Sequence, residues 1–319
     1  MRRRIFPALA AALALSAAAL PSEGRAMSTV QHVMLFRGRS YVGPGDLGIS
    51  WSAYYALRAY TRFQALLGVQ PLVNLRRASD GHTCDGRVSP ATGGLGDTGN
   101  CSSIADSGQS VATWGSGTTL YIDELYDLTG NGRPILQATA AKQPSLVFSC
   151  VGSKPCWSMP FGASVVLTSA SNFTPATGLI SLTSVGVRLG GTDYISWIKS
   201  NDSFAAGPQI GSNDVANQWY VSAAGAVYFT ATDAVWHSAT GVISASSTLA
   251  NLDGVETSST GGVDTTAGLI GVEGGASTSN TEQAELGFVD NVGLSSANRT
   301  ALCRNQENYY GASNFGATC

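Results

Sequence analysis

Six cysteines, three histidines and a scatter of tryptophans and acids are the side chains of this 319-residue sequence that could carry chemistry. The cysteines, Cys84, Cys101, Cys150, Cys156, Cys303 and Cys319, are even in number and fall into three sequence-local couples. In an oxidising compartment such a set reads as disulfides, here 84–101, 150–156 and 303–319. A metal reading has little behind it. There is no CxxC, and His32, His82 and His237 lie far apart, whereas zinc ligands are closely spaced. No GxSxG elbow offers a serine nucleophile, and no glycine-rich loop ending in Lys-Ser or Lys-Thr offers a phosphate cradle. No cofactor is implied. Trp114, Trp157, Trp197, Trp219 and Trp236 are left as aromatic faces. An exposed tryptophan stacks on the apolar side of a sugar ring, and a buried one fills a core. Trp197, Trp219 and Trp236 are the candidates for sugar contact.

The compartment follows from the first 26 residues. Arg2, Arg3 and Arg4 precede an apolar run from Ile5 to Leu20, and Gly24-Arg25-Ala26 sets small residues two apart. This is the pattern of a secretory signal peptide. The run is short for a membrane span, which needs about 20 apolar residues. The expectation is a secreted or periplasmic protein with residues 27–319 as one domain and no membrane span after cleavage. Removing 26 residues, among them four Arg and Glu23, leaves 293 and moves the net charge from −3 to −6. An acidic chain with three Lys offers no basic patch, so nucleic acid is an unexpected partner. Charged residues make up 12% and hydrophobic ones 44%, which argues against disorder.

The elements that must position these residues are mostly strands. Short β-like runs recur between Gly, Ser, Asn and Asp turns: 72–77, 118–126, 145–150, 164–169, 179–189, 194–199, 218–223, 226–231, 242–245, 269–272 and 284–289. Many short strands with glycine turns indicate a sandwich or barrel. Two helices are expected. One runs from Trp51 to Leu67, capped by Ser50 and ended by Pro71. The other starts at Ser295 or Ser296 and runs to about Asn308, with Gly311 beyond it.

Four stretches carry a resemblance: 55–60 (YALRAY), 75–81 (LRRASDG), 125–133 (LYDLTGNGR) and 137–144 (QATAAKQP). In this order they resemble the catalytic domain of the α-L-arabinofuranosidases of glycoside hydrolase family fifty-four, most clearly over residues 50–160. The segment from Leu286 to Gly311 resembles the last strand and helix of concanavalin A-like, laminin G-like sandwiches. The resemblance implies an all-β, two-sheet jelly roll directed at carbohydrate. The third motif also has a plain reading: Asn131-Gly132 as a hairpin turn with Asp127 bonding its backbone, and Arg76, Arg77 and Asp80 as a structural ion-pair group. A calcium site at Asp127 and Asn131 is limited by the few acids there.

Retaining glycosidases need two carboxylates about 5–5.5 Å apart. The family supplies a Glu before a glycine-ending strand and an Asp after a Gly-Gly pair. The first motif falls on 205–211 (AAGPQIG), which has no acid, and the second on 271–276 (GVEGGA), where Gly275 or Ala276 stands for the Asp. The family's vicinal cysteine pair is also missing. The nearest acids are Asp214 and Glu273, in turns that nothing in the sequence joins, while Asp253-Gly254 reads as a hairpin turn. Three readings stay open: a sugar-binding protein that has lost its hydrolytic pair, an active arabinofuranosidase with relocated acids, and a structural surface jelly roll with a flat apolar patch.

Overall fold

The structure, a computed structural model, describes residues 41–159, 166–173, 178–190, 195–199, 208–212, 215–222, 226–260, 268–273, 280–317 and 319. Its strands are β1 (Ala53–Ala56), β2 (Pro71–Arg77), β3 (Thr83–Val88), β4 (Leu95–Gly99), β5 (Leu120–Leu125), β6 (Ile135–Leu136) and β7 (Ser145–Val147). They continue as β8 (Cys156–Met159), β9 (Val166–Phe173), β10 (Ile180–Gly190), β11 (Ile195–Lys199), β12 (Gln209–Ser212) and β13 (Gln218–Ser222). The last six are β14 (Val227–Thr230), β15 (His237–Ile243), β16 (Ser247–Leu252), β17 (Val255–Thr260), β18 (Gly268–Glu273) and β19 (Asn280–Asp290). Three α-helices accompany them among the described residues: α1 (Arg62–Leu67), α2 (Val111–Trp114) and α3 (Ser296–Tyr310).

Every strand ladder among the described residues is antiparallel. One layer runs β19–β10–β15–β16–β17, with β1 and β8 sharing the other edge of β19. The second runs β4–β3–β2–β5–β6–β9–β18–β11–β12–β13–β14. The short strand β7 pairs with both β5 and β8 and joins the layers. The two layers face each other, β10 against β11 and β12, and β15 and β16 against β13. Between them lies one apolar core, with Tyr54, Leu182 and Phe288 from the first layer and Leu75, Ile122, Leu167, Ile198 and Ile210 from the second. The all-β jelly-roll expectation is met.

Turn chemistry explains much of this. Asp253 and Gly254 take φ of 47° and 82° and close the β16–β17 hairpin, as Asp-Gly in a two-residue turn should. At the β5–β6 connection the positive φ values fall on Gly130 (85°) and Gly132 (69°), not on Asn131. Asn131 instead donates through Nδ2 to the carbonyls of Trp51 and Ser52, at 3.2 and 3.1 Å. Asp127 staples this loop, accepting from the Thr129 amide and hydroxyl and from the Tyr54 and Arg133 amides. A carboxylate so engaged by donors, beside an amide that itself donates, does not suit a calcium ion.

The expected helix over 51–67 is corrected. Residues 53–56 instead form β1 on the edge of β19, Ala53 opposite Phe288 and Ala56 opposite Glu285. All four are buried, so no polar side interrupts their apolar run, and helix and strand periodicities are alike there. Only Arg62–Leu67 is helical, capped by Thr61 in a capping box with Gln64 and ended at Gly68 with φ of 62°. The C-terminal helix begins as expected, with the Ser295 hydroxyl accepting from the Asn298 amide.

Helix α3 docks through polar contacts. Arg58 on the segment after β1 and Glu285 on β19 form an ion pair with both side chains fully buried. Arg58 also donates to Asn305 Oδ1 at 2.8 Å, and Glu285 accepts from the Tyr54 hydroxyl and from Gln306 Nε2. Arg299 pairs with Glu256 at 2.7 Å. The disulfides are 84–101, 150–156 and 303–319, as expected, the second closing the loop between the paired strands β7 and β8.

Candidate functional site

One continuous row of paired residues crosses eight strands of the second layer. Asp85 on β3 faces Asn74 on β2, which faces Glu124 on β5. The row continues through Leu136, Thr168, Gly271 and Lys199 to Gln209 on β12. Directly opposed residues of antiparallel strands share a face. The alternate positions Leu75, Ile122, Ile135, Leu167, Ile198 and Ile210 belong to the core, so the row is on the outer face. The motif expected to carry the first catalytic acid thus reaches this face with an amide. Gln209 is buried, and the motif supplies no carboxylate there.

The acids of this face lie at the other end of the row. Asp85 is buried and fixed by three donors: Tyr126 Oη at 2.7 Å, Asn100 Nδ2 at 2.9 Å and Asn74 Nδ2 at 3.0 Å. Glu124, two strands away, is half-buried and has no hydrogen-bond partner among the described residues. Burial raises its carboxyl above the usual range, and the neighbouring Asp123 and Asp85 push the same way. Asp123 is raised by its own burial, although Arg76 and Gln143 oppose this. Gln143 links them, accepting from Arg76 Nε at 2.8 Å and donating to Asp123 at 2.6 Å. One strand, β2, lies between Asp85 and Glu124, which sets their backbones about 10 Å apart.

The sequence reading missed Asp85 and Glu124. Their shared signal is Asn74, one polar residue inside the apolar run of β2. The expected group of Arg76, Arg77 and Asp80 divides: Arg77 pairs with Asp80 at 2.6 Å, while Arg76 joins Gln143. His82 Nδ1 donates to Asp106 at 2.7 Å beside them, and the Arg77 guanidinium lies 5.0 Å from the Trp114 ring centre.

The other expected site residues are placed as follows. Trp219 is corrected: it is buried at 1% exposure, edge-on to the His237 ring at 4.8 Å, and presents no face to a sugar. It lies on the core side of β13, where the layers press together, and Trp114 and Trp157 are buried too. Trp236 is half-buried and packs in a small cluster with Phe315 and Tyr310. Trp197 is within β11, with its side chain outside the described residues. Asp214 lies outside them, and of Glu273 only the backbone is described. β12 and β18 both flank β11 and run parallel to each other, with Ser212 opposite Ile195 and Glu273 opposite Ser196. The C-terminal ends of β12 and β18, at Ser212 and Glu273, therefore lie at the same end of the sheet, two strands apart. What joins them is strand order, which the sequence does not display.

Cys150, Cys156 and Glu282 come together, but the two sulfurs are spent on a disulfide and are not ligands. The apolar side chains Phe63, Leu66, Leu67 and Val69 are exposed on and just after α1. No helix among the described residues is long and apolar enough to cross a membrane.

No protein-family model matches the sequence, and no curated protein does. Solved structures do match. A mutant GH54 α-L-arabinofuranosidase soaked with 4-nitrophenyl α-L-arabinofuranoside aligns with a TM-score of 0.61 at 13% identity, covering 84% of this chain and 66% of that one. An arabinofuranosidase complexed with arabinofuranosyl-α-1,2-xylobiose aligns at 0.60 and 14%, covering 84% and 65%. At such identity the likeness is one of fold, and the chain spans just under two thirds of the length of these structures.

Proposed function

We propose that the protein is an exported carbohydrate-binding sandwich that recognises sugar on the outer face of its second layer and does not hydrolyse it. The observation that carries this is Gln209. The strand bearing the first catalytic motif of the resembled family puts an amide on that face, and an amide is neither a nucleophile nor a proton donor for glycosidic cleavage. Three disulfides and the leader-like residues 1–26 support export. Arabinose-containing polysaccharide is the ligand class that the fold neighbours suggest. The test is paired: affinity electrophoresis on arabinoxylan and arabinan, and release of nitrophenol from 4-nitrophenyl α-L-arabinofuranoside. Retarded migration without release supports the reading, and catalytic release overturns it.

A second reading, an active glycosidase with relocated acids, is favoured by the raised carboxyl of Glu124 on the same face, since such a shift suits a general acid. Its candidates are Glu124, Asp85, Glu273 and Asp214. Under it, Glu124→Gln abolishes nitrophenol release.

A further inference from the structure

A groove of about 420 Å³ lies apart from the Gln209 row, and shares no residue with it. Its walls are the β3–β4 loop, β4, the start of α2, the β7–β8 loop and the last turn of α3. The disulfide 150–156 braces the β7–β8 wall.

Tyr309 closes one side. Its ring lies 4.7 Å from the Arg58 guanidinium and 4.9 Å from Lys154 Nζ, and meets Tyr41 and Tyr310 edge-on. Its hydroxyl is buried with no hydrogen-bond partner among the described residues. It points at Gly94, also in the groove wall, where a Cβ would stand 2.5 Å from the oxygen. Burial pushes this phenol above its ordinary range, so it stays protonated and able to donate. An orphaned buried hydroxyl calls for a partner.

The rest of the lining says what kind. Asp97 is exposed and makes no ion pair among the described residues, and neither does Lys154. A carboxylate and an ammonium thus share one groove without neutralising each other. Phe148 adds an apolar ring at 41% exposure. A simple anion meets Asp97, a simple cation meets Lys154, and an apolar ligand strands both. A molecule with many hydroxyls and one apolar face satisfies all four: acceptor at Asp97, donors at Lys154 and Tyr309, stacking surface at Phe148.

We infer that this groove is a second saccharide site, distinct from the Gln209 face, that takes a neutral sugar ring stacked on Phe148. The inference rests on the carbohydrate reading above and adds a second locus to it. The full chain is titrated calorimetrically with arabinotriose and xylotriose, alongside Phe148→Ala, Asp97→Asn, Tyr309→Phe and Gln209→Ala. The expected result is two sites in the wild type. Each groove variant weakens one at least 10-fold, leaving the other and the melting temperature unchanged. Tyr309→Phe is the sharpest arm, because it keeps the ring and its two cations. Binding that only Gln209→Ala weakens overturns the groove and leaves the carbohydrate reading standing. No binding by the wild type to either sugar overturns both.

Discussion

Replacing Arg58 by Met removes the cation at the junction of β1, β19 and α3 while keeping most of the aliphatic stem. Four contacts go with it: the ion pair to Glu285, the bond to Asn305 Oδ1, and the stacking on Tyr309 and Tyr310 at 4.7 and 5.7 Å. The Glu285 carboxylate stays fully buried, with only the Tyr54 hydroxyl and Gln306 Nε2 to hold it. Leaving one partner of a buried pair uncompensated costs about 3–5 kcal/mol. Loss of the ring contacts adds about 0.5–2 kcal/mol. The net expectation is about 4 kcal/mol, a fall in Tm of about 10 °C for a domain of this size. A second change, Glu285→Gln, removes the stranded charge but keeps an acceptor for Tyr54 and Gln306. The double variant should therefore be more stable than Arg58→Met alone. Thermal and urea unfolding followed by far-UV circular dichroism, disulfides intact, reads both. A single variant within about 1 kcal/mol of wild type, or a double variant less stable than the single, refutes the argument that a buried uncompensated charge is the cost.

Opening the 303–319 bridge with paired Cys→Ser changes should cost about 3 kcal/mol, the loop-closure value for roughly 15 residues, read as a lower denaturant midpoint. Glu124 has a folded-state pKa above its unfolded value, so its protonated form favours the fold; that contribution is fully present below the unfolded pKa and is lost as pH rises through the folded one. Glu124→Gln should flatten the stability–pH curve in that window, and an unchanged slope contradicts the shift. Asp80 behaves oppositely. Its hydrogen bond from Arg77 lowers it to about 2, so its contribution is present above the unfolded pKa and fades as pH falls toward 2. Asp80→Asn should reduce acid sensitivity in that range, and an unaltered acid limb of the denaturation profile goes against it.

What could be read from the sequence was local chemistry. Asp253-Gly254, the Ser295 cap and the three cysteine couples each depend on residues close in the chain, and each appears in the structure. Ala53–Ala56 reads as helix because β1 is buried on both sides, where apolar runs lose their period. β16 and β17 are hard to see because Ser and Thr are frequent in them, so no apolar alternation marks the strands. The candidate face was the least legible part. Asp85 and Glu124 meet only through Asn74, and Gln209 joins their row only through the register of eight strands. Register is a long-range property, and a shift of one residue would send each of these side chains into the core.

The most direct measurement combines binding and turnover in one sample. The full chain is titrated with arabinoxylan-derived oligosaccharides, the heat of binding is recorded, and the same mixture is then analysed by chromatography for released arabinose. The expected result is saturable binding that weakens with Gln209→Ala, and arabinose no higher than in the protein-free control. Release of arabinose at the rate of a working enzyme, about 1 s⁻¹ or faster, and its loss in Glu124→Gln or Glu273→Gln, would contradict it.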